Sequence, residues 1–121
     1  MNPSEGGNKL DRAAILERME GSQELMTELI QLFLGEVPYL VETMRKTLNE
    51  GDMQELGRSA HSLKGAASNF SAHETVMVAA QLEYDAKNGD AESAKASLST
   101  LVVVVERLLR DLANLCQESQ Q

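Results

Sequence analysis

The chain has no Trp, two Phe and two Tyr among its 121 residues. Sheets cover their pleated faces with aromatic and β-branched side chains, so this poverty argues against a sandwich or barrel. Proline is as scarce, at two residues, which leaves few punctuation points for many short strands. A single cysteine, Cys116, rules out an internal disulfide, and with only two histidines no zinc-ligand spacing exists. No unbroken apolar run is longer than 101–105, far short of a bilayer span. Residues 1–9 lack the apolar stretch of a signal peptide. Eleven basic residues face 19 acidic ones, giving a net charge of −8. They form no cluster, which sets aside nucleic acid and anionic membrane surfaces as partners. The expected setting is cytoplasmic and reducing, with no membrane insertion.

What the chain does have is helical periodicity nearly end to end. Residues 1–9 read as a flexible lead-in, 10–117 as one helical domain and 118–121 as a polar tail. Asp11 can cap a short helix that Gly21 stops. Ser22 can cap a segment carrying Leu25, Met26, Leu29, Ile30 and Phe33 at helical spacing. Gly35 then loosens the pattern, and Pro38 suits the first turn of a fresh helix that carries Val37, Leu40, Val41, Met44 and Leu48. Gly51-Asp52 and Gly89-Asp90 each read as stop followed by start. Ser71 with Glu74 has capping-box spacing. The segment 52–70 places Leu56, Ala60, Leu63, Ala67 and Phe70 on one face in steps of 4, 3, 4 and 3. Val78, Ala79, Leu82 and Ala86 mark the next helix. Ala94, Leu98, Leu101, Val105, Leu108, Leu112 and Leu115 mark the last, outvoting the β-branched run that sits among them. The expected fold is all-α: an up-down-up-down antiparallel four-helix bundle with one or two additional N-terminal helices.

One face of the third long helix stands apart. Gly57, His61, Lys64, Gly65 and Ser68 lie at offsets of −4, 0, +3, +4 and +7 from the histidine and so share a strip. Glu55, Ser59, Ser62 and Asn69 form a separate polar stripe. Glycine in a helix interior costs about 0.5–1 kcal/mol relative to Ala. Two of them flanking one histidine suggest clearance for another protein's surface. Neutral imidazole, with a reference pKa of roughly 6.5, is a capable nucleophile near pH 7. A nearby ammonium can offset charge on a phosphoryl group in flight. There is no nucleotide-binding loop and no carboxylate cluster near His61 in sequence, so a partner would supply metal and nucleotide chemistry. No cofactor is expected.

The stretch Ala60-His61-Ser62-Leu63-Lys64-Gly65, followed by small residues and Asn69-Phe70, resembles the signature of histidine-containing phosphotransfer (HPt) domains. Leu82-Glu83 after Ala79, Phe33 and the Gly51-Asp52 turn also fit, so that the similarity spans about 25–115. The resemblance implies a four-helix bundle with His61 as the phosphorylated residue, Lys64 assisting electrostatically and Gly65 leaving room for a docking receiver domain. It implies a phosphocarrier of bacterial two-component type without kinase activity, exchanging a phosphoryl group with response-regulator receivers or a hybrid sensor kinase. Arg58, with Gly57, Gly65 and Ser68, is the expected docking surface. The pattern departs at Ser71, where the family usually has Gly. Ser71 is expected to cap the following helix, building the turn differently.

Other residues read more plainly. His73 lacks the Lys-Gly neighbours of His61 and is expected at the surface of a first helical turn. The methionines and Cys116 fall on apolar stripes and read as packing. The acidic segment 83–92 reads as a solvated turn. A self-contained core makes a monomer the default. A helical adaptor that binds a partner through the same face without phosphorylation is the competing reading.

Overall fold

The computed structural model describes residues 10–119, and within them the chain is all-helical. The expected flexible lead-in at 1–9 and the end of the expected tail at 120–121 lie outside the described residues. Five helices follow in order: α1 (Arg12–Arg18), α2 (Gln23–Glu50), α3 (Met53–Ser68), α4 (His73–Lys87) and α5 (Ala91–Ser119). α2 packs on α3 and α5, and α4 packs on α3 and α5, closing a ring of four. The turns between them are too short for anything but antiparallel neighbours. α1 leans on α2 and buries Ile15 and Met19.

The apolar stripes explain the ring. Leu56, Ala60, Leu63, Ala67 and Phe70 are all buried, as are all seven marked positions of α5. Phe33 of α2 meets Phe70 edge to face, with ring centroids 5.1 Å apart. Four expectations need correction here. Ser59 is not on the polar stripe but buried. Leu25 is exposed and Val78 only half-buried. α5 runs on through Ser119, into the segment expected as a tail.

α2 is one helix of 28 residues, not two. Gly35 and Pro38 lie inside it on its exposed side. Phe33 and Val37, buried on the opposite side, hold this stretch in helical register against its poor local propensity. Most helical stability comes from packing an apolar face rather than from propensity. One additional N-terminal helix therefore precedes the bundle.

The turns share a single device. Gly51 (φ 76°), Ser71 (φ 54°) and Gly89 (φ 67°) are all left-handed. In each case the next amide donates to the carbonyl five residues back: Asp52 to Thr47, Ala72 to Ala67, Asp90 to Asp85. Asp11, Ser22, Asp52 and Asp90 cap the helices they precede, each accepting from the amide three residues on. Ser71 does not cap α4. Ala72 occupies that position without a side-chain bond, and Glu74 pairs with Arg107 at 3.0 Å instead. Ser71 thus adopts the conformation that glycine would take, and its hydroxyl accepts from Arg18 Nε of α1 at 3.3 Å.

Candidate functional site

His61 sits in the middle of α3, on the flank that faces α4. Its core-directed neighbours Ala60 and Leu63 are fully buried, and this fixes the rotation of α3. The imidazole, one residue further round, is 67% exposed. Lys64, nearer the groove between the two helices, is 31% exposed.

A third residue joins them. Glu83 of α4 reaches across, its Oε2 2.9 Å from His61 Nδ1 and its Oε1 accepting from Lys64 Nζ at 2.7 Å. Lys64 holds the Glu83 carboxyl below the usual carboxylate range; partial burial opposes this and the His61 contact adds to it. An ionised carboxylate only accepts hydrogen bonds, so Nδ1 must carry the proton. The lone pair of the neutral ring is therefore on Nε2, the nitrogen turned away from Glu83. Among the described residues no group of three or more His, Cys, Asp or Glu side chains could hold a metal ion.

The two glycines flanking His61 have different surroundings. A Cβ at Gly57 would meet the Ala86 Cβ at 3.4 Å, so the missing side chain there lets α4 lie close to α3. A Cβ at Gly65 would meet nothing within 4 Å. Clearance for an outside surface is thus available at Gly65, whereas the clearance at Gly57 is occupied by the protein's own helix. Arg58 extends into solvent and pairs with Glu55 at 3.5 Å. Ser68 turns its hydroxyl back onto the Gly65 carbonyl at 2.7 Å. His73 is exposed at the start of α4, away from this constellation.

Sequence reasoning missed Glu83 as a site residue. It lies 22 positions from His61, and only its place in the Leu82-Glu83 pair marked it. The expectation of a solvated acidic turn fails at both its first carboxylates. Glu83 is bound to His61 and Lys64, and Asp85 is 3% exposed. Asp85 accepts from Ser97 of α5 at 2.7 Å and from Gln81 at 2.9 Å. Burial alone would raise the Asp85 carboxyl, but hydrogen bonds from Ser97, Gln81 and Ser93 outweigh it and hold it low.

A family model for the Hpt domain matches residues 28–121. The chain belongs to the Hpt domain family. The match begins inside α2, so α1 and the first turn of α2 lie ahead of it. No curated protein and no solved structure matches the chain. Hpt domains serve histidine phosphotransfer in phosphorelays, working with receiver domains and histidine kinases as phosphocarriers rather than catalysts. In this Hpt domain no helix among the described residues is long and apolar enough to cross a membrane.

Proposed function

We propose that this Hpt domain carries a phosphoryl group on Nε2 of His61, accepting it from the aspartyl phosphate of one receiver domain and passing it to the aspartate of another. The observation that carries the reading is the exposed imidazole whose Nδ1–H is held by Glu83 beside Lys64. On attack the Nε2–P bond forms and the acyl P–O bond breaks, releasing the receiver's carboxylate. The Nδ1 proton stays in place, so the ring becomes a phosphoimidazolium cation. Glu83 then faces that positive charge and stabilises it without any proton having to move. Lys64, released from Glu83 toward the phosphoryl oxygens, offsets their negative charge during transfer. The return step reverses each of these changes, which suits a carrier that must give up what it takes.

Gly65, with open space around it, lets the receiver's surface approach the ring, and Gly57, Arg58 and Ser68 border the same approach. The domain acts as a monomer inside the cell, in contact with receivers or a hybrid sensor kinase and without a cofactor of its own. The test is transfer of label from a radiolabelled phospho-receiver. Wild type should take up label that is acid-labile and alkali-stable, as a phosphohistidine is, and His61→Gln should take up none. Label that persists in His61→Gln would refute the site. A His61→Gln protein that still supports signalling would favour the adaptor reading.

A further inference from the structure

An open groove of about 630 Å³ starts at His61 and runs toward the N-terminus of α3 and the C-terminus of α4. Met53, Gly57 and Ala86 supply its buried and half-buried surface, and Arg58 and Lys87 stand exposed beside it. The two cations differ. Arg58 already has Glu55. Lys87 is one helical turn beyond Glu83, but Glu83 is engaged by His61 and Lys64, and Lys87 forms no ion pair among the described residues.

From this arrangement, and resting on the carrier reading above, we infer that the receiver seats in this groove, with an apolar side chain over the half-buried Met53 and an acidic residue on Lys87. The choice of occupant follows from charge. A receiver that presents an aspartyl phosphate is negatively charged where it meets His61. This chain carries a net charge of −8, which opposes such a partner at long range. Attraction must then be local, and an ammonium with no internal partner in the groove that opens at the imidazole provides it. The docking surface therefore extends along α4, beyond the α3 strip that the sequence marks.

Lys87 also lies in the last turn of α4, where a cation suits the helix dipole, so the test must separate docking from folding. The full chain is compared with Lys87→Glu, Lys87→Arg and Gln54→Trp; the last places a bulky ring at the exposed rim of the groove. Each protein is labelled in parallel by the phospho-receiver and by phosphoramidate, a small donor that needs no docking surface. Lys87→Glu should slow transfer from the receiver by roughly tenfold or more, through the association rate. Lys87→Arg should restore it, and Gln54→Trp should also slow it. Phosphoramidate labelling of all three should stay within about twofold of wild type. Receiver transfer unchanged in both Lys87→Glu and Gln54→Trp would overturn the groove proposal and leave the carrier reading standing. Equal losses with both donors would also overturn it, because the defect would then lie in the fold. A wild type that takes label from neither donor sinks the carrier reading itself.

Discussion

Two carboxylates stand two residues apart on α4 and face opposite ways. Glu83 points toward α3, is 30% exposed and holds His61 and Lys64. Asp85 points toward α5, is 3% exposed and holds Ser97 and Gln81. Both are kept ionised more readily than usual, but by different partners. Lys64 can leave Glu83 at the cost of a half-exposed ion pair, which water and salt partly replace. Asp85 itself has no such substitute, because a buried carboxylate that loses its donors bears the full desolvation cost. One helix therefore presents a reversible contact on one side and a fixed one on the other. The fixed one, together with the buried Thr75, Ala79, Leu82 and Ala86, holds α4 in the rotation that brings Glu83 to His61.

The largest effect should come from the fixed side. Asp85→Ala removes a buried charged acceptor together with its hydrogen bonds from Ser97 and Gln81, and should cost about 1–3 kcal/mol. Thermal denaturation should register this as roughly 4 °C per kcal/mol for a chain of this length. Glu83→Ala should do the reverse. Its stability should stay within about 1 kcal/mol of wild type, while phosphotransfer slows on the order of 10- to 100-fold. A Glu83→Ala protein that melts early but transfers normally would erase the contrast. Lys64→Ala should slow transfer less than Glu83→Ala does and leave the fold intact, because Glu83 keeps its hold on Nδ1. Equal rates for Lys64→Ala and wild type would remove lysine from the transfer step.

Acid should sharpen the contrast further. A carboxyl lowered by folding contributes stability that is present above its ordinary value and lost as pH falls through the folded one. For Asp85 the ordinary value is 3.8 and for Glu83 it is 4.5. The stability gap between wild type and Asp85→Asn should thus be full above about pH 4 and close below it. The smaller gap for Glu83→Gln should close over a window that begins somewhat higher. Denaturant unfolding across pH 2–6 (roughly that window) reads both, and a gap for Asp85→Asn that persists at the acid end would contradict the assignment.

The asymmetry of α4 also marks where sequence reasoning reaches its limit. The stripes of α3 and α5 were legible because burial repeats at helical spacing, and so were the caps at Asp11, Ser22, Asp52 and Asp90. His61 and Lys64 share a helix, so their offset of three could be read directly. Glu83 joins them only through the packing of α3 on α4, and no local pattern encodes that distance. Asp85 looked like a surface acid because its hydrogen-bond partner Ser97 is on another helix. Ser71 misled for a related reason. Its spacing to Glu74 suited a cap, but the chain reversal required a left-handed residue there, and Arg107 had a stronger claim on Glu74. At Pro38, local chemistry argued for a break while Phe33 and Val37 in the core held the helix together.

Gly57 sets a size limit on the reach of Glu83. A methyl at this position would just touch Ala86, at 3.4 Å, and anything longer would have to wedge α4 outward or turn into the groove. The 2.9 Å contact one turn away has little slack, because hydrogen bonds weaken once the separation grows past about 3.2 Å. Residue 57 is therefore a spacer with a tolerance of a single carbon atom. Sequence drift at residue 57 can thus loosen the contact between Glu83 and His61 without changing either partner.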